Sequence, residues 1–402
     1  MNIIEINSVD YGSTGKIALQ IAETVENSAD NVYVCTSGGR KHKASKSNPK
    51  RIYIGGFFSE KLHLVLDRLT GYNGCFSCIS TAVFLNRIKK LKPDIIHLHN
   101  LHNCYINLPM LFKFIKKHNI RVVWTLHDGW AFTGHCACFD MVGCQKWKSG
   151  CFKCPSYKQY PKSLVDRSQK MYQLKKKWFT EVKDLTIVTP SQWLADLAKQ
   201  SFLKDYPVKV INNGIDLSVF KPTVSDFKEK NNCEDKIILL GVAFGWGERK
   251  GLDAFLTLAE RLDDKYQIVL VGTDEGIDER LPANIISIHR TQNQIQLAEL
   301  YTAANLFINP TRDDNFPTVN MEALACGTPV LTFRTGGSPE MLDDTCGAVV
   351  EKDDIDALYA KVLDITQNKR FSKEACIERA KKYDNGVKFK EYADLYKRES
   401  LI

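Results

Sequence analysis

The chain has 402 residues, 44% of them hydrophobic and 25% charged, with 24 Gly. That composition excludes disorder and collagen, no heptad persists long enough for a coiled coil, and the length suits two domains with a core each. The net charge of +8 is uneven: residues 1–210 hold 31 Lys and Arg against 15 Asp and Glu, and the remainder holds 24 against 32. A basic half joined to an acidic one points to an anionic partner for the first half, either a lipid headgroup, a phosphate or a nucleic acid. The alternative is a solvated basic surface.

The opening residues, Met1–Asp10, lack the basic and apolar regions of a secretory signal. The longest uncharged stretch, Leu69 to Asn86, is interrupted by Gly and Asn and makes a poor membrane span. The expectation is a cytoplasmic protein whose 13 Cys are thiols or metal ligands rather than a disulfide framework.

In chain order, β-branched runs predict strands at Asn2–Ile6, Asn31–Cys35, Asp94–Leu98, Arg121–Leu126, Leu185–Thr189 and Val208–Ile211. Helical patterns lie between them at Lys16–Glu26, Val83–Lys90, Leu108–His118, Leu164–Phe179 and Gln192–Gln200. After the turn-rich Asn212-Asn213-Gly214 the pattern restarts, with strands at Lys236–Gly241, Gln267–Val271, Ile285–Ile288, Asn305–Ile308 and Pro329–Phe333. Strands spaced by helices of this length indicate βαβ units, hence two doubly wound α/β domains. The predicted boundaries are 1–212 with 386–402 packing back on it, and 213–385, with Val387–Arg398 as the returning helix. Ligands of such sheets sit at the carboxyl ends of the strands.

Chemistry-bearing residues follow those ends. Tyr11-Gly12-Ser13-Thr14-Gly15-Lys16 is a Gly-rich strand-to-helix turn. It lacks Walker A spacing, and reads either as a phosphate approach or as a plain tight turn. His97-Leu98-His99-Asn100 ends one strand and His127-Asp128 follows another; each His either reaches a substrate or is held by backbone. Because His99 lies one pleat period after His97, one of the two can be purely structural. Arg249 and Lys250 lie at a predicted helix start, where two cations oppose the dipole unless they neutralise a bound diphosphate. Asp314 precedes the predicted helix Thr318–Cys326, with Pro317 at its entrance, and Glu322 lies about two turns inside.

With these residues, the chain resembles the retaining GT-B glycosyltransferases of the family called group 1 or family 4. The resemblance spans nearly the whole chain. It includes the Gly turn, His127-Asp128, Pro190-Ser191-Gln192-Trp193, Asn213-Gly214-Ile215-Asp216, Arg249-Lys250-Gly251 and Asp314…Glu322-Ala323-Leu324-Ala325-Cys326-Gly327-Thr328-Pro329-Val330. Within the family it is most similar to enzymes of colanic-acid and related surface-polysaccharide assembly.

The resemblance implies transfer of a hexose, with retention, from a UDP or GDP sugar to a hydroxyl of a polyprenyl-linked oligosaccharide, without a catalytic metal. It assigns Glu322 to the ribose, Arg249 and Lys250 to the diphosphate, and Gly12 and Gly15 to the loop approaching it. His127 then contacts the donor sugar, with Asp314 beside it as the second catalytic group, Phe316 and Thr318 at the donor, and His99 and Asp128 on the acceptor side. Two departures stand out: Asp314 replaces the family's first Glu, and Phe316-Pro317-Thr318 replaces a Gly-Phe-Gly type run.

Cys136, Cys138, Cys144, Cys151 and Cys154 fall together. The pattern Cys136-x7-Cys144-x6-Cys151-x2-Cys154 supplies four thiolates for a structural zinc, with free thiols and disulfides as alternatives. Lys170, Lys175, Lys176 and Lys177 lead into Trp178-Phe179, either a segment resting on an anionic membrane or a solvated helix. Competing functions are a sugar-nucleotide epimerase of the same fold, which no residue favours, and a nucleic-acid-binding protein using the Cys cluster and basic half. The latter lacks a recognition-module signature, so no nucleic-acid partner is expected.

Overall fold

The computed structural model describes residues 1–26, 30–39 and 50–397. It divides into two compact units, Met1–Asn212 with Lys388–Ile402, and Asn213–Val387.

The first unit is built on a parallel sheet: β1 (Asn2–Ile6), β2 (Asn31–Ser37), β3 (Lys50–Ile54), β4 (Ile95–Leu98), β5 (Arg121–Thr125), β6 (Leu185–Thr189) and β7 (Val208–Val210), in the order β3-β2-β1-β4-β5-β6-β7. Its central strands are buried along their length, as both faces of a parallel sheet must be. Two elements escape the sequence pattern. β3 is a charged edge strand, and the helix Phe57–Thr70 exposes apolar residues that blur its periodicity. Local chemistry sets the helix ends. Asn107 accepts the Met110 N–H at 3.0 Å to start Leu108–His118, and Asn119, at φ +48°, ends it. The predicted Leu164–Phe179 helix begins only at Ser168, because Asp166 accepts the Ser168 and Cys154 N–H groups in a turn ahead of it. The helix Gly12–Glu26 starts four residues earlier than predicted.

The predicted Val387–Arg398 helix is two, Asn385–Lys388 and Lys390–Lys397; Arg398 lies outside the described residues. Phe389, Tyr392 and Tyr396 join Ile3, Ile17, Ile95 and Val123 in the core of the first unit. Arg121 donates to the Leu395 and Tyr396 carbonyls at 2.8 and 2.9 Å, satisfying acceptors that the helix end leaves open.

The second unit holds β8 (Ile237–Val242), β9 (Tyr266–Val271), β10 (Ile285–Ile288), β11 (Leu306–Asn309), β12 (Val330–Phe333) and β13 (Gly347–Val350), all parallel in the order β10-β9-β8-β11-β12-β13. The short β13 was not legible in sequence. Arg249 and Lys250 do not open a helix. They lie in a 3-10 turn, Glu248–Lys250, and the helix Leu252–Arg261 starts after Gly251. Gly251 has φ +74°, and a Cβ there would stand 2.3 Å from the Pro310 carbonyl oxygen.

Candidate functional site

In the first unit the strand order reverses direction between β1 and β4, the usual place for a ligand in an open α/β sheet. Three loops leave the carboxyl ends there and at β5. The turn after β1 carries Gly12, at φ +70°, where a Cβ would have nothing within 4 Å, and Gly15, where a Cβ would meet the Asp10 carbonyl carbon at 2.7 Å. Gly12 therefore faces open space, whereas Gly15 is required by the turn's own packing.

The loops after β4 and β5 carry the histidines. His99 Nδ1 and His127 Nε2 are 3.1 Å apart, with near-parallel rings. His97 is fully buried, with Nε2 2.8 Å from the Thr125 hydroxyl and Nδ1 2.5 Å from the Tyr396 hydroxyl. Behind them lies Glu5, fully buried on β1, its Oε2 3.9 Å from His99 Nε2; neither of those two atoms has a hydrogen-bond partner. Burial pushes the Glu5 carboxyl well up, and brings His97 down to about 3, His127 down to about 4 and His99 well below its ordinary value. Burial thus disfavours charge on the carboxyl and on all three imidazoles alike. Glu5, His97 and His99 are also the one group of three or more potential metal ligands, among the described residues, whose ligand atoms all lie within 4.8 Å of one another.

Asp128 has a different environment. Its Oδ2 lies 3.1 Å from His102 Nε2, and its Oδ1 accepts the Trp130 N–H at 2.9 Å. Burial alone would raise this carboxyl, but His102 and that N–H outweigh it and hold it below the usual range. The chain of contacts continues outward: the Tyr160 hydroxyl lies 2.9 Å from His102 Nδ1 and donates to Asn103 Oδ1 at 2.8 Å. Sequence reasoning missed Glu5, His102 and Tyr160. The triple spacing His97-x-His99-x-x-His102 was the available signal, since it puts His99 behind His127 and His102 behind Asp128.

The Cys-rich segment follows. None of the thirteen cysteines forms a disulfide in the structure. Cys136, Cys144, Cys151 and Cys154 line one small apolar cavity with His135 and Trp147. The Gly134 N–H donates to Cys151 Sγ at 3.1 Å, and a hydrogen bond from Cys136 brings the Cys154 thiol down to about 7 while Cys136 rises. The basic stretch after it is not uniformly at the surface: Lys175 is fully buried, its ammonium on the Trp130 carbonyl and 3.6 Å from that ring's centroid. Burial lowers Lys175 to about 7. Phe179 is likewise core, beside Phe112 and Trp124.

In the second unit the reversal falls between β8 and β11. The turn after β8 and the loop after β11 meet there: Lys250 Nζ pairs with Asp314 at 2.5 Å, and Arg249 Nη1 donates to the Asp313 carbonyl at 3.1 Å. Arg312, unnoticed in the sequence, braces both. It donates to both Asp253 carboxylate oxygens at 2.7 and 2.6 Å, to Asp353, and to the Glu248 carbonyl. Those carboxylates raise the Arg312 guanidinium above its ordinary value. The Asp314 carbonyl leaves no room at Gly336, where a Cβ would stand 1.7 Å away and φ is +55°. Phe316 is buried near Tyr383, its carbonyl bonded by Asn213 Nδ2 at 3.2 Å. Pro317 is the N-cap of Thr318–Ala325, so Thr318 opens that helix at the half-buried surface. Glu322, on the same helix, accepts from the Tyr301 hydroxyl at 3.1 Å. Asp314 and Glu322 thus have separate partners, one cationic and one neutral.

Each Rossmann-like unit thus gathers its polar residues at strand ends: Arg249, Lys250 and Asp314, with Glu322 on the following helix, in one, and His99, His127 and Asp128 in the other. Residues 15–219 match the model of Glycosyltransferase Family 4, and residues 224–383 that of Glycosyl transferases group 1. The chain belongs to the family 4 glycosyltransferases. It is 26% identical over 367 residues to the Escherichia coli protein named for colanic acid biosynthesis, WcaC, covering 88% of each. Among solved structures it resembles a sucrose-phosphate synthase from Thermosynechococcus elongatus, with TM-score 0.72, 17% identity and 98% of each chain covered. It also resembles HepE of Anabaena in complex with UDP, with TM-score 0.68, 13% identity and 98% and 99% covered. These likenesses make the fold GT-B, with two Rossmann-like domains.

Proposed function

We propose that the protein transfers a hexose from a UDP or GDP sugar, with retention, to a hydroxyl of a lipid-linked oligosaccharide in surface-polysaccharide assembly. The observation that carries the reading is the Arg249–Lys250 turn at the β8/β11 reversal, braced by Arg312 and followed by Glu322. Two fixed cations there stabilise the charge of a departing diphosphate without a metal. The diphosphate takes over Lys250 from Asp314, and the released carboxylate stands ready for the sugar. Glu322 holds ribose hydroxyls, helped by Tyr301. Phe316 and Thr318 shape the donor end, and Gly12 leaves the first-unit loop open to the phosphates. His127, neutral, orients the sugar by hydrogen bonding, with His99 behind it and Asp128 toward the acceptor. The acceptor proton passes to the leaving diphosphate on the same face. Similarity to the colanic acid protein supports the polysaccharide assignment.

Thermal unfolding with UDP, GDP, their sugar conjugates and duplex DNA tests this. A nucleotide at 100 times its dissociation constant stabilises by about 2.7 kcal/mol. One nucleotide raises the midpoint, and Glu322→Ala abolishes the rise. A shift with DNA and none with nucleotides overturns the reading in favour of a nucleic-acid-binding protein.

The four cysteines fit a structural zinc, because four thiols face one cavity and backbone N–H groups already reach two of the sulfurs. The four sulfurs do not form a group whose ligand atoms all lie within 4.8 Å of one another among the described residues. Purified protein then contains one zinc per chain by elemental analysis, and Cys151→Ser with Cys154→Ser loses it; a metal-free native protein with four titratable thiols in this segment rejects the site.

A further inference from the structure

The helix Phe57–Thr70 carries two parallel stripes with different surroundings. Phe57, Lys61, Leu64 and Arg68, at i, i+4, i+7 and i+11, line one wall of a cavity of about 460 Å³. Asn103, Cys104, Tyr160, Pro161 and Lys162 line it from the other elements. The neighbouring stripe, with the same spacing, is Phe58, Leu62, Val65 and Leu69, and these are 86%, 61%, 51% and 55% exposed. His63 and Asp67 are the buried residues of this helix. Leu164, whose N–H bonds the Arg68 carbonyl at 2.8 Å, is also exposed, as are Ile79 and Val83 on the helix Cys78–Lys90.

A water-facing stripe of this kind, edged by cations, is what an interfacial helix presents to a bilayer. The cavity beside it is mixed in a matching way. Lys61, Arg68 and Lys162 are exposed cations on it, while Phe57, Leu64 and Pro161 give it apolar walls. Its two acids are engaged elsewhere: Asp67 accepts from Asn73 and Cys104, and burial raises its carboxyl, while Glu60 accepts from the Ser37 hydroxyl. Tyr160 then connects the cavity wall to His102 and so to Asp128.

We propose that this cavity seats the phosphate head of a prenyl-type lipid acceptor, whose chain leaves across the Phe58–Leu69 stripe into a membrane. The assignment rests on the glycosyltransferase reading for the identity of the acceptor. It moves the membrane contact away from Lys170–Phe179, where Lys175 and Phe179 are core, to the Phe57–Thr70 helix.

The test is flotation of the full chain with vesicles. Three compositions are compared: neutral phosphatidylcholine alone, the same doped with a polyprenyl phosphate, and the same doped with phosphatidylglycerol at equal charge. Neutral vesicles leave the protein in solution and polyprenyl phosphate recruits it. The quadruple exposed-stripe variant F58S/L62S/V65S/L69S and the cation variant K61A/R68A/K162A each lower recruitment at least tenfold. Both variants keep the wild-type thermal shift with UDP or GDP, which reports folding and the donor site separately. Equal recruitment by phosphatidylglycerol, or full recruitment of either variant, overturns the proposal. Loss of the nucleotide shift in wild type with recruitment intact would instead sink the donor reading and leave a prenyl-phosphate-binding protein.

Discussion

Burial, not charge pairing, sets the protonation of the histidines behind the proposed sugar site. An imidazole in a low-dielectric environment loses more on protonation than Asp128 returns to it, so His127 titrates near 4. The acid limb of kcat/KM therefore falls near pH 4, with no inflection at the ordinary histidine value of about 6.5. A pH–rate profile checks this, and an inflection near 6.5 that disappears in His127→Asn contradicts it. At this scale the sequence was partly readable. His127, Asp128, Arg249, Lys250 and Glu322 stand at strand ends or on the following helix, where local spacing announces them. Glu5 and Arg312 gave no sign, because a Glu in an apolar strand and an Arg in a polar loop acquire meaning only from residues far along the chain.

Between elements, the second-unit site depends on a brace. The Glu248–Lys250 turn has too few residues to hold itself, and Arg312 ties its carbonyl and two exposed aspartates to the loop after β11. Replacing Arg312 by Leu removes a half-buried set of charge-assisted bonds and costs about 1–3 kcal/mol. It also releases Arg249 and Lys250, so nucleotide affinity drops roughly tenfold or more on the proposed reading. Calorimetric titration with UDP or GDP measures the second effect; unchanged affinity in a folded variant shows that the turn positions itself. Helix and strand placement was legible for the buried, strongly periodic elements. It failed at β3, β13 and the Phe57–Thr70 helix, where edge position, shortness or outward apolar residues mask the period.

Taken whole, the molecule distributes its titratable groups unevenly. Eight of the nine histidines precede residue 212. Burial lowers His63 and His127 to about 4, His97 to about 3, and His99 and His135 below their ordinary values. Between roughly pH 6.5 and 4 the unfolded first unit binds protons at these positions while the folded one does not, so its stability falls as pH falls. Glu5 and Asp67, raised by burial, act in the opposite direction but are fewer. In the second unit the one histidine, His289, is exposed and is raised by its bond to Asp278. Calorimetry from pH 7 to 5 thus lowers a first-unit transition more than a second-unit one, and nucleotide raises the latter. Equal displacement of both transitions refutes the asymmetry.

The Lys390–Lys397 helix also sets a timetable. Tyr396 reaches the buried Glu5–His97 pair, and Tyr392 the Thr125 hydroxyl. Both lie downstream of the whole second unit in the order of translation. The unit made first on the ribosome must therefore wait, with a polar cluster on its central strands unsealed, until the codon for Tyr396 has been read. The unit made second has every residue of its own core before then. Translation order and completion order are reversed.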